Sequence, residues 1–344
     1  MKIKNVYASA NKEPVYDIEV ATKDHTFYIK DDIRVSNCRL INDIDLFELG
    51  GQVNSFGGTG LSLGSHRVCT INLRRISLEC SDFDDYLTRL KVRMDECVDV
   101  LCAHRELMKD LIDRGCQPFM KNGWLDLNRM FSTIGIMGYY EAVEDFKKKY
   151  GTGRDYLKEI LVFINEYALT LTKERKVALN IEQIPGESMS YKLANCDRWL
   201  FGEDKVTEGL YSNQFLPNYG ESAKCTLDEK IKAESVGKYL TGGGICHLNV
   251  NDPVTPMQAE MLISKALKYG LDHFAVNSVY SICGDDHWTL GKNKTCPICG
   301  GEVVDYATRV VGFFTRVNSS WAKPKREYDF GGRNYHKSND FFHD

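Results

Sequence analysis

Apolar residues recur along this chain at two periods. Leu87, Leu90, Met94, Val98, Leu101 and Leu107 follow a helical spacing. They stand behind Ser81-Asp82-Phe83-Asp84, which has the form of a capping box, and Gly115 closes the run. A long amphipathic helix is predicted there. Further helical patterns cover about 127–150, about 153–178, and Thr255 to Tyr269. Val68-Cys-Thr-Ile-Asn-Leu73 and Phe274-Ala-Val276 read as strands. Helices alternating with short apolar strands predict an α/β architecture. Residues 39–75 are rich in glycine, and Pro324 to Asp344, polar and aromatic, reads as a tail lying on the surface.

Composition narrows the class. The 344 residues are 43% hydrophobic and 27% charged, within the globular range. A net charge of −4 gives no reason to expect direct DNA binding. No apolar run approaches the roughly 18 residues that span a membrane, and no signal-peptide core precedes residue 20. Twelve cysteines without an export signal fit a reducing cytoplasm. Cys97 and Cys102 lie in a helical pattern. Cys80, Cys116, Cys196 and Cys225 have no evident partners and read as small core residues.

Two clusters carry candidate chemistry. An asparagine can attack its own backbone carbonyl and cut the bond after it, and a thiol just beyond the cut can accept an acyl group. Asn37 and Cys38 supply those groups, with Asp24 and His25 as an acid/base pair. The plain alternative is a small β-hairpin at the start of a domain. Further on, Cys296-Pro-Ile-Cys299-Gly-Gly has the CxxC spacing that grips a tetrahedral ion from a tight turn. Cys283 and His287, from Cys283-Gly-Asp-Asp-His287, complete a closed structural zinc site; a redox CxxC is the competing reading. Gly242-Gly243-Gly244 suits either phosphate contact through backbone N–H groups or a loop at a helix end.

The first cluster resembles the C-terminal fragment of a naturally split intein. Val15-Tyr-Asp-Ile18 and Asp24-His-Thr-Phe27 match the motif carrying the family's histidine, and Val35-Ser-Asn37 before Cys38 matches its terminal motif. Ser36 stands where many inteins have histidine. The chain opens at Met1 without the N-terminal intein half, so the resemblance implies a partner polypeptide that supplies it.

Residues 38–344 resemble the C-terminal part of the anaerobic (class III) ribonucleotide reductases, which are glycyl-radical enzymes. The resemblance rests on Cys38-Arg39, Asn54-Ser-Phe-Gly-Gly, Ser65-His-Arg-Val-Cys-Thr-Ile-Asn72, Pro185-Gly-Glu187, Tyr211-Ser-Asn213-Gln, Gly242 to Leu248, the cysteine cluster and Arg309-Val-Val-Gly312. It implies a glycyl radical at Gly312 that passes to Cys38 as a thiyl. The thiyl removes the ribose 3′-hydrogen, and formate is the reductant. Asn54 and Asn72 are both candidates for the family's active-site asparagine. The implied fold is the C-terminal part of a ten-stranded α/β barrel with a small zinc-binding region, behind a β-rich intein half of the Hint type. The expected division is 1–37 intein fragment, 38–280 barrel portion, 281–303 zinc cluster, and 304–344 glycyl-radical loop and tail. The implied partners are the N-terminal fragment, a radical-activating enzyme with S-adenosylmethionine and an iron–sulfur cluster, and a ribonucleotide, expected as the triphosphate. A homodimer is implied after splicing. The alternatives are a glycyl-radical enzyme of pyruvate formate-lyase type and an inactive zinc-stabilised gene remnant.

Overall fold

The computed structural model describes residues 64–341, apart from 272, 311 and 312, together with two short strands, β1 (Thr26–Ile29) and β2 (Ile33–Ser36). These two pair antiparallel, Thr26 opposite Ser36 and Ile29 opposite Ile33. That hairpin is compatible with both readings of the N-terminal segment.

Strand β3 (Gly64–Asn72) leads into α1 (Leu73–Glu79) and the long helix α2 (Phe83–Asp113). Helix α2 begins where Asp82 accepts hydrogen bonds from the Asp84 and Asp85 backbone N–H groups. The expected capping box is thus displaced by one residue: Asp82 caps, and Asp85 Oδ2 reaches back to the Ser81 N–H at 2.9 Å. Tyr86, Leu90, Met94, Cys97, Val98 and Leu101 form its buried stripe.

The helix expected over 127–150 is corrected. Met130–Met137 forms strand β4, and only Tyr139–Tyr150 is helix, α3. Ile134 and Ile136 flank Gly135 in a segment too buried for an amphipathic helix, as a parallel strand covered on both faces must be. Gly138, at φ 76°, turns strand into helix. Helix α4 (Tyr156–Arg175) returns the chain to β5 (Leu179–Gln183). Strands β3, β4 and β5 make a parallel sheet in that order.

After α5 (Glu187–Phe201) and α6 (Leu227–Glu234), β6 (Cys246–Val250) and β7 (Phe274–Cys283) pair in parallel across α7 (Pro256–Tyr269). β8 (Trp288–Leu290), β9 (Val303–Val310) and β10 (Phe313–Arg316) extend that sheet antiparallel. A single parallel bridge, Glu182 to Gly243, links the neighbourhood of β5 to the turn before β6.

The helices cover one face of each sheet. Ile71, Ile134, Ile136, Leu179 and Ile181 pack there with α1 to α4, and Cys246, Leu248 and Val250 pack with Leu227, Ile231 and Leu262. Each such aliphatic side chain contributes about 1.5–3 kcal/mol by leaving water. The tail, expected to lie on the surface, is anchored to the fold: Asp329 and Phe330 are buried, Phe330 against Val279, Val317 and Trp321. Among the described residues no helix is long and apolar enough to cross a membrane.

Candidate metal centre and polar cleft

The end of β7, the turn after it and the CxxC turn bring four ligand groups together. One donor atom each from Cys283, His287, Cys296 and Cys299 lies within 4.8 Å of the others. Cys283 Sγ stands 3.5 Å from His287 Nδ1 and 3.8 Å from Cys299 Sγ, and Cys296 Sγ stands 3.8 Å from His287 Nδ1. Sulfurs held about 2.3 Å from a tetrahedral ion would sit about 3.8 Å apart, so the group fits zinc. Gly300, at φ 74°, reverses the chain, and its N–H donates to Cys296 O at 2.8 Å. Backbone N–H groups, that of Cys299 first, draw the Cys296 thiol down to about 7 and favour the thiolate a metal needs. Every described cysteine is a free thiol.

The sheet faces turned away from the helices carry buried polar groups, with Val279 of β7 packed there against the tail. On the first sheet Thr133 Oγ1 donates to Asn180 Oδ1 at 2.6 Å, and both residues are buried. On the second, His247, Asn249 and Asn277 alternate with the apolar residues of β6 and β7. They line a small cleft, open to solvent, with Asn213, Asn218, Arg309 and Arg333. Below it, buried Lys230 donates to Gln214 Oε1 at 2.6 Å and to Glu234 Oε1 at 3.1 Å. The Asp329 carboxylate holds the Arg333 guanidinium through two hydrogen bonds of 2.6 and 2.8 Å, and Arg333 Nη1 donates to the Arg309 carbonyl at 3.2 Å. The tail thereby braces β9 three residues before position 312. Polar groups facing away from helix-covered strands suit a polar ligand and do nothing for packing.

The other expected residues fall differently. Asp24, His25, Asn37, Cys38, Asn54 and Gly312 lie outside the described residues. Asn72 caps α1: its Oδ1 accepts from Arg75 N at 3.1 Å, and its Nδ2 donates to buried Asp197 at 2.8 Å. Of the glycine triplet, Gly242 N–H donates to Ile181 O and Gly243 N–H to Leu240 O, which supports the loop reading over phosphate contact at these two groups. A Cβ at Gly242 would stand 2.8 Å from Asn180 Nδ2 and Ile181 O, so glycine there permits close approach to β5. Sequence reasoning missed the cleft residues Asn277, Asn249, Asp329 and Arg333. The alternation His247-Leu-Asn249-Val was the available signal.

Comparison with known proteins agrees with this geometry. A family model described as anaerobic ribonucleoside-triphosphate reductase matches residues 5–336. The anaerobic ribonucleoside-triphosphate reductase of Enterobacteria phage T4 is 25% identical over 260 residues, covering 68% of this chain and 42% of its own length. A solved anaerobic ribonucleotide reductase superposes with a TM-score of 0.69 at 32% identity, over 83% of this chain and 47% of that one. The Thermotoga maritima anaerobic ribonucleotide reductase with glycerol in the active site gives 0.67 at 32% identity, over 81% and 46%. The chain thus spans less than half the length of these relatives. With a family match over nearly its whole length, the chain belongs to the anaerobic ribonucleoside-triphosphate reductase family.

Proposed function

We propose that this chain supplies the C-terminal, radical-bearing part of an anaerobic ribonucleotide reductase, joined to an N-terminal part that its relatives carry. The observation behind this is the family match over 5–336 together with Arg309-Val-Val-Gly312. Only glycine offers a Cα radical that backbone amide and carbonyl stabilise jointly with no side chain to prevent planarity. β10 pairs with β9 with Phe313 opposite Val310, so just two residues separate the strands. A radical-activating partner, carrying an iron–sulfur cluster and S-adenosylmethionine, takes hydrogen from Gly312. The Gly312 radical then takes hydrogen from the Cys38 thiol. The thiyl takes the 3′-hydrogen of a ribonucleoside triphosphate, the 2′-oxygen leaves as water, formate supplies two electrons, and the thiol returns the 3′-hydrogen. Asn54 and Asn72 are both candidates for the active-site asparagine, and the engagement of the Asn72 amide at a helix cap favours Asn54. The polar inner faces would form one wall of a ten-stranded barrel completed by the N-terminal part. Cys283, His287, Cys296 and Cys299 would hold structural zinc, with no position open for substrate. The setting is cytoplasmic, and the finished enzyme a homodimer.

The reading extends to residues 1–37 as a C-terminal split-intein fragment, with 38–280, 281–303 and 304–344 as barrel portion, zinc cluster and radical loop with tail. Asn37 cyclises, Asp24 and His25 assist, and Cys38 is the splicing nucleophile before it is the radical cysteine. The order Asp-His, β1, β2, Ser-Asn-Cys supports this. The family match crosses residues 37 and 38 without a break and draws no boundary there. Intact mass of the natural product tests splicing: the account expects residues 1–37 gone and Cys38 bonded to a foreign polypeptide, and their retention would contradict it. Deoxyribonucleotide formation by the joined enzyme tests the reductase. Cys38→Ala should abolish it, and full activity in that variant would refute the role of Cys38. The family match removes support from the pyruvate formate-lyase alternative, and a zinc-stabilised remnant would bind zinc and yield no radical.

A further inference from the structure

The inner face of β7 holds a buried acceptor with no hydrogen-bond partner among the described residues. Asn277 is 6% exposed. Its Nδ2 donates to His247 Nδ1 at 3.1 Å and to Asn249 Oδ1 at 3.2 Å. In this arrangement Oδ1 turns the other way and has no hydrogen-bond partner among the described residues. An unpaired buried carbonyl costs stability, and a central strand would be better served by valine or isoleucine. The apolar contacts of β6 lie on the opposite, helix-covered face, and on the face of Asn277 the next residue of β7, Val279, packs against Val317, Trp321 and Phe330. Asn277 lines the cleft, and so does Arg309, three residues before Gly312.

We propose that Asn277 Oδ1 accepts a hydrogen bond from a ribose hydroxyl of the ribonucleotide and makes the cleft distinguish ribose from deoxyribose. This rests on the reductase reading, which places the sugar near Gly312 and Cys38. Asn277 Oδ1 is an uncharged acceptor, which suits a hydroxyl and gives no grip on a phosphate, and the charged groups of the same cleft are Arg309, Arg333 and Asp329. Binding by a buried polar group of this kind discriminates because an analogue lacking the hydroxyl leaves the oxygen unpaired.

The test is equilibrium dialysis of the full chain with cytidine, 2′-deoxycytidine and 3′-deoxycytidine. The wild type should bind cytidine roughly tenfold tighter than one of the two deoxy analogues, and which one identifies the hydroxyl. Asn277→Leu should bring cytidine down to the level of that analogue and leave the analogue's affinity unchanged. Asn277→Asp, which keeps an acceptor, should retain the preference. Zinc content and circular dichroism establish that each variant folds; should Asn277→Leu not fold, Asn277→Ala carries the same comparison. A wild type that binds all three alike, or none, overturns the proposal. So does a leucine variant that keeps the preference, or one that loses all three ligands equally. The reductase reading is judged separately by deoxyribonucleotide formation in the joined enzyme, so the two can fail independently.

Discussion

Lys230 is among the largest fully buried side chains here, and its ammonium is enclosed by Gln214, the Leu216 carbonyl and Glu234. Lys230→Met keeps the volume and removes the cation, leaving Glu234 charged, 3% exposed and without its counterion. Breaking a buried pair in this way costs about 3–5 kcal/mol, to be read from chemical denaturation. His66 makes the opposite kind of statement. Burial first, then the Arg105 and His104 charges, lower its pKa to about 4, although its Nδ1 donates to Phe131 O at 3.0 Å. Between pH 6.5 and about 4 the unfolded chain takes up a proton that the folded chain refuses. Stability is therefore lost as pH falls through that window. His66→Gln should flatten the stability–pH curve there, and an unchanged slope would show that other groups dominate. Neither residue was legible in sequence: a lone lysine or histidine carries no sign of burial until the tertiary contacts are known.

Among the elements, those with strong periodicity and end signals were legible. Helix α2 and helix α7 follow their apolar stripes, and Thr255 with Gln258 closes the capping box of α7. Asp82→Ala should destabilise the protein by about 1 kcal/mol, seen as a shift in denaturation midpoint, because two N–H groups of α2 lose their acceptor. Strand β4 was read as helix because a fully buried strand lacks the two-residue alternation that marks a half-exposed one. The tail misled for another reason. Its aromatics looked like surface residues among charges, and only the fold provides Val279, Val317 and Trp321 for Phe330 to meet. The metal ligands were legible since CxxC is local and short, whereas the cleft draws residues from six separated segments that no spacing connects.

On the scale of the whole molecule, the ligand cluster ties the end of β7 to the turn preceding β9, next to the β9–β10 pair. Arg316 of β10 reaches Asp286 at 3.0 Å, between Cys283 and His287. One zinc per chain is expected, and Cys296→Ser should lower that stoichiometry and the thermal midpoint together. Full zinc in that variant would remove Cys296 from the ligand set. The central claim concerns position 312. The most direct measurement is the electron paramagnetic resonance spectrum of the joined enzyme after anaerobic reductive activation. The account predicts an organic radical whose doublet, split by the remaining α-hydrogen, collapses to a singlet when the protein is grown on α-deuterated glycine, and which is absent in Gly312→Ala. An activated enzyme with no such signal, or one whose signal survives Gly312→Ala, would contradict it.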